Sequence, residues 1–299
     1  MTPHSKKLLA IACASGSFKG AFAHGVLSAL ETAGIVADVY AAASSSVLPT
    51  AWAAIGKANQ LGIDYWLGGV KYLQQPDIGM SQIVLGGIAN FSPPNKKLFA
   101  PDTPEFIIAT SAVITEEAAS ETQTDKARRL GRKLLVAAAK KQRTWVDENL
   151  QLELFSTKSD KLQLNANNFD EVTYASSRML HAWDIPAWIN QKPYIDASYT
   201  CMCPAIEMLE AGYEKVIAIS NEPGVLYRDM FQLEEISENY NGTDIYIITP
   251  DMDTKQLGVD FTNASIEGLI AVYQHGLEKG RYIKKSGFCV STKFAHSLL

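Results

Sequence analysis

An apolar run over residues 7–14 turns at Ser15-Gly16-Ser17-Phe18-Lys19-Gly20 into a helical pattern over residues 21–33. Gly34 follows, where a helix C-cap belongs. A second short apolar run, residues 36–43, ends on Ser44-Ser45-Ser46, three good N-cap residues. The helix predicted after them, residues 47–58, carries Pro49 in its first turn, where a missing N–H costs nothing. Short buried strands alternating with amphipathic helices predict an α/β fold: a parallel sheet covered on both faces, with ligands beyond the carboxyl ends of the strands.

Over residues 62–103 the pattern blurs into aromatic residues, glycine pairs and Ser92-Pro93-Pro94, which predicts loops and short helices forming a cap. Strands are predicted again at 106–115, 151–155, 215–220 and 244–249, with helices near 126–141, 204–211 and 263–282. The charges between 116 and 142 read as a solvated helix face. No repeat, linker or low-complexity segment interrupts the chain, so one domain is expected over 1–299, with a cap-like insertion around 62–103.

Composition adds exclusions. The 299 residues are 47% hydrophobic, enough to bury a core, and the formal net charge of −5 gives no overall basic field for nucleic acid. The start pairs a short positive stretch with a brief apolar run, as a weak signal peptide would, but that run makes better sense as a first buried strand. No run has the length of a membrane span. Cys13, Cys201, Cys203 and Cys289 lack framework or zinc-site spacing, so they read as buried or free thiols of a cytoplasmic protein.

Three stretches carry candidate chemistry. Ser44 sits where an apolar strand meets a helix, a corner that exposes a hydroxyl near the helix's positive end; the same three serines also serve as plain N-cap residues. The small-residue turn at Gly16 and Ser17 could present backbone N–H groups to an anion, and it matches neither a phosphate-binding loop nor a dinucleotide fingerprint. Asp196, after Tyr194-Ile195 and before Ala197-Ser198, is placed to accept a proton from a nearby serine, or to serve a turn.

In this order, SGSFKGAFAHGVLSALETAGI, ADVYAAASSSVL, YASSRMLHAWDIP and YIDASYTCMCPAIEMLEAGYEKVIAIS resemble the patatin-like phospholipase family, as do IITP and the late DFTNASIEGLIAVYQHGLEKG segment. The resemblance implies a three-layer sandwich, with a mostly parallel sheet between helices, and lipid acyl-ester hydrolysis by a Ser-Asp dyad. On it, Ser44 falls on the nucleophile, Asp196 on the base, and Gly16 and Ser17 on the oxyanion loop. Lys19 falls on that loop's usual cation, and His181, in the segment before the dyad Asp, is a candidate for reaching the site. His24, within the first helix, reads as a packing residue. No metal or cofactor is implied. The partners implied are a lipid or acyl-ester substrate and a transient, peripheral membrane contact. Ala42 and Ser46 stand where the family's elbow has glycine, Ser15 and Ser17 replace loop glycines, and Ala197 and Ser198 stand in place of the glycine pair after the Asp. A Cβ at either elbow position is expected to crowd the turn. An acyltransferase using the same nucleophile and an inactive lipid-binding protein of the same fold are the alternatives.

Overall fold

The computed structural model describes residues 8–283; Lys7 of the first predicted strand, His4, His296 and Cys289 lie outside the described residues. The first half of the chain runs β1 (Leu9–Cys13), α1 (Ala21–Thr32), β2 (Val39–Ala43), α2 (Val47–Ala54), α3 (Ala58–Leu61), α4 (Asp64–Leu73), α5 (Met80–Phe91), α6 (Asn95–Leu98) and β3 (Glu105–Val113). The second half adds α7 (Glu116–Thr122), α8 (Ala127–Ala139), α9 (Thr144–Asn149), β4 (Leu150–Ser156), α10 (Phe169–Ser176), β5 (Trp188–Ile189) and β6 (Lys192–Ile195). It closes with α11 (Ala205–Glu210), β7 (Lys215–Ile219), β8 (Asn239–Tyr240), β9 (Thr243–Ile248) and α12 (Ile266–Tyr282).

The strands form one sheet in the order β5-β6-β3-β2-β1-β7-β9-β8, with β4 also on β3. From β3 to β9 the neighbours are parallel, while β4 and β6 join β3 antiparallel. Every residue of β1 and β2 is buried, as a parallel strand covered on both faces requires. Ile11, Cys13, Tyr40 and Ala42 face the larger core, with α1, α2, α10 and α12; Ala10, Ala12, Val39 and Ala41 face a smaller one with Ile206 and Met208 of α11. The fold is therefore mixed α/β, a mostly parallel sheet between two helical layers.

Helices α1 and α12 approach closely because glycines meet between them: a Cβ on Gly25 would stand 2.1 Å from the Tyr273 carbonyl oxygen, and one on Gly276 would stand 2.1 Å from that of Phe22.

The central strands and α1 lie within a few residues of expectation. The predicted helix over 47–58 is instead broken, because Gly56, at φ +67°, ends α2 and α3 starts anew. The larger difference is at 62–103, where loops and short helices were expected. Two helices, α4 and α5, form there and pack on each other. The Gly86-Gly87 pair serves that packing: a Cβ on Gly86 would reach 3.4 Å from Tyr72, and one on Gly87 3.3 Å from Tyr65. Glycine is a poor helix former in isolation, and tertiary contact overrides that preference here. Among the described residues no helix is long and apolar enough to cross a membrane. Cys13, Cys201 and Cys203 are free and buried, and burial pushes the Cys13 thiol up to about 12.

Candidate active site

Strand β2 ends at Ala43 in extended conformation, and the chain reverses sharply at Ser44, φ +54°, before a single 3₁₀ turn feeds α2. A side chain in the left-handed region is strained, so neighbours must hold it there. The Ser44 N–H donates to Ser176 Oγ of α10 at 2.8 Å, and Ser44 Oγ donates to Asp196 Oδ2 at 2.9 Å. Both ends of the residue are thus fixed by partners distant in sequence.

Asp196 follows β6, whose register on β3 sets Ile195 opposite Ser111. Its N–H donates to the Arg178 carbonyl at 2.9 Å, Ser111 Oγ donates to its carbonyl at 2.7 Å, and the Ser198 N–H donates to Oδ1 at 2.7 Å. Oδ2 is left for Ser44. Burial pushes the carboxyl up to about 6, against the hydrogen bonds from Ser198 and Ser44 that favour its charge. Above that pH it is an ionised carboxylate in hydrogen-bond contact with a hydroxyl.

The turn after β1 runs beside this pair. Ser17 is also left-handed, at φ +51°, and the N–H groups of Gly16, Ser17 and Phe18 meet no acceptor among the described residues. Asn221, just past β7, shapes this turn, although nothing in the sequence reading pointed to it. Its Nδ2 reaches the carbonyls of Ala14 at 2.7 Å and Ser15 at 3.1 Å, and its Oδ1 accepts the Ala23 N–H at 3.1 Å. A Cβ on Gly16 would lie 2.8 Å from Asn221 Cβ, so glycine is required there by contact. The one signal was a polar residue directly after an apolar parallel strand, at the end where ligands gather.

The elbow tolerates its non-glycine residues. Ala42 is an ordinary strand residue opposite Cys13 and Ile108, and Ser46 is right-handed, at φ −80°. Neither position uses a positive φ, so the expected crowding does not arise. Ser46 also contributes: its Oγ donates to the Ala14 carbonyl at 2.6 Å and lies 3.2 Å from Asn221 Nδ2. The elbow and the turn after β1 are thereby tied together.

Ser17 and Ser44 open onto a cavity of about 300 Å³ under α4 and α5, walled by side chains such as Leu48, Trp66, Ile83 and Ile88. Among the described residues no charged one lines it. Three buried polar atoms on its lining residues, Ser45 Oγ, Thr173 Oγ1 and Trp183 Nε1, have no hydrogen-bond partner among the described residues.

The remaining candidates stand further off. Lys19 is buried and its Nζ meets Glu222 at 2.6 Å and Asp253 at 3.8 Å, which anchors the turn from behind; Lys19 does not line the cavity. His181 packs on Trp183 and Phe261, with ring centroids 6.4 and 6.2 Å away, and it too is absent from the cavity wall. His24 is fully buried: its Nε2 lies 2.9 Å from the Ala58 carbonyl, and Nδ1 accepts from Trp66 Nε1 at 3.1 Å. Burial pushes it down to about 4, so it is a neutral residue that holds Trp66 in place. Among the described residues no group of His, Cys, Asp and Glu is arranged to hold a metal ion.

No protein-family model matches the chain, and no curated protein sequence matches it. Among solved structures, VipD from Legionella pneumophila aligns over 94% of this chain and 67% of its own, with a TM-score of 0.47 and 10% identity. A likeness of that degree carries no weight for function, which has to be read from the site.

Proposed function

We propose that this protein is a serine acyl hydrolase that cleaves lipid acyl esters with Ser44 as nucleophile and Asp196 as base. The observation that carries the reading is the 2.9 Å hydrogen bond from Ser44 Oγ to Asp196 Oδ2 at the wall of an uncharged, largely apolar cavity. Asp196 takes the hydroxyl proton as Oγ attacks the acyl carbonyl, and it returns that proton to the departing alcohol. The tetrahedral oxyanion is met by the N–H groups of Gly16 and Ser17, and one such donor is worth about 3 kcal/mol in known hydrolases. Water activated by Asp196 then releases the acid from Ser44. Helices α4 and α5 act as the cap that receives the acyl chain. Their exposed Tyr72 and Leu85 are the apolar groups beside the cavity that would meet a lipid surface.

A fluorophosphonate probe tests this directly. Wild type is expected to be labelled at Ser44, and Ser44→Ala and Asp196→Ala are expected to lose at least about 10³-fold in labelling rate while remaining folded. A folded wild type that resists labelling, or labelling that survives Ser44→Ala, overturns the reading in favour of a binding protein. Once labelling is established, product analysis with added alcohol separates transfer from hydrolysis.

A further inference from the structure

Helix α8 carries a charge pattern that the chemistry at Ser44 does not use. Between residues 126 and 143 every charged side chain is a lysine or arginine, in a protein of net charge −5. All of these cations are exposed except Arg143, which is partly buried. Ala127, Leu130, Gly131, Leu134 and Ala138 form the buried stripe of the helix. Arg129, Arg132, Lys133 and Lys140 fan over the opposite side, and helical spacing sets all four around Val136. Val136 is 55% exposed and its neighbour Leu135 37%, so two apolar side chains stand in water among the cations.

Carboxylates do not neutralise this face. Arg143, beyond the helix, pairs with Asp147 and Asp229, and none of the cations on the helix has an ion pair among the described residues. Glu116, Glu117, Glu121 and Asp125 all come earlier in the chain, on α7 and the turn after it. A face that is merely solvated interleaves its signs. Here Arg128 precedes Arg132 by four residues and Arg129 precedes Lys133 by four, like-charge pairs that weaken a helix. An anionic surface relieves that repulsion, and one with hydrocarbon just beneath its charges also covers Val136 and Leu135. Duplex nucleic acid would answer the cations and leave both apolar side chains facing phosphate.

The helix is also tied to the cavity. Gly131 lets α8 press on segment 180–185: a Cβ there would stand 2.4 Å from the His181 nitrogen. From the same segment Trp183 lines the Ser44 cavity, and the Ile185 N–H donates to Ser81 Oγ of α5 at 3.1 Å.

We propose that the outer face of α8 docks on an anionic lipid surface, with Arg129, Arg132, Lys133 and Lys140 against the headgroup charges and Val136 at the boundary with the acyl chains. The choice of lipid over another polyanion rests on the lipid-hydrolase reading of the Ser44 site; the charge pattern and the exposed apolar residues stand without it.

Vesicle cosedimentation of the full chain tests it, with Ser44→Ala used to keep the lipids intact. Phosphatidylcholine vesicles containing phosphatidylserine are expected to bind at least about 10-fold more tightly than phosphatidylcholine alone, and added salt should erode that advantage. Arg129→Gln/Lys133→Gln/Lys140→Gln, altered only at exposed positions, is expected to abolish the advantage with an unchanged circular dichroism spectrum. The same three substitutions in a chain that keeps Ser44 should leave lipid-free fluorophosphonate labelling at the wild-type rate, so docking and chemistry fail separately. Equal binding to both vesicles, no binding to either, binding that survives the triple variant, or capture of duplex DNA or polyglutamate in place of vesicles overturns the proposal.

Discussion

Ser17 and Ser44 both occupy the left-handed region, where a side chain costs about 1–2 kcal/mol, and both sit at the cavity wall. What holds Ser44 there is hydrogen bonding to Ser176 of α10 and to Asp196, just past β6, so the strain is offset by groups remote in sequence. Asp196 adds a second local cost, because burial keeps its acid form favoured up to about pH 6. A base must be ionised, so the phosphonate labelling rate is expected to climb with pH through about 6 and level off above it; a flat rate from about pH 5 to 8 would contradict the assignment. Stability moves the other way. A carboxyl whose native value lies above its ordinary 3.8 supports folding below that ordinary value, and the support is lost as pH rises through about 6. Asp196→Asn is therefore expected to raise Tm at about pH 8 and to change it little at about pH 4, a difference of about 3 kcal/mol that thermal melts at the two pH values measure.

Restoring a glycine to the elbow is expected to weaken the site. Ser46→Gly removes the hydroxyl that holds the Ala14 carbonyl, costing about 1 kcal/mol, and should not raise the labelling rate. Asn221→Ala leaves the Ser15 carbonyl and the Ala23 N–H without their buried partner, takes one of two donors from the Ala14 carbonyl, and is expected to cost about 2–3 kcal/mol in urea melts, with slower labelling of the protein that remains folded. An Asn221 variant that labels at the wild-type rate would show that the turn after β1 keeps its shape unaided.

Among the elements, the α1–α12 contact is the most restrictive. Gly25→Ala or Gly276→Ala drives a methyl into a backbone carbonyl, so each is expected to lower stability by about 3 kcal/mol, read as a fall in Tm, whereas Ala at Gly68, with nothing within 4 Å, should be tolerated. The strands β1, β2, β3, β7 and β9 were legible in the sequence because each is a contiguous apolar run that a covered parallel sheet demands. Ser44 and Asp196 were legible as a pair through a family resemblance, since no periodicity links the residues that follow β2 and β6. The full lengths of helices α4 and α5 were not, because Gly68-Gly69 and Gly86-Gly87 read as breakers, and the Tyr72 and Tyr65 rings beside Gly86 and Gly87 are not visible in the sequence. Helix α10 escaped as well: it has only eight residues, and its role is to bring Ser176 to the Ser44 N–H. The hairpins at the sheet's margins were missed despite Asn190-Gln191 and Asn241-Gly242, pairs with both φ values positive, as type I′ turns require.

On the scale of the whole molecule, the proposed ester chemistry lies at the carboxyl ends of the central strands, where β1 and β2 deliver Ser17 and Ser44 to one cavity. The sheet's margins have a further consequence. Among the described residues β4, seven residues long, pairs with β3 and with no other named strand, so the sheet has a longer margin there than at β8, which has two residues. That longer ladder leaves amides and carbonyls on which a neighbouring chain can add a strand, which makes β4 the margin where edge-to-edge polymerisation would start at high concentration.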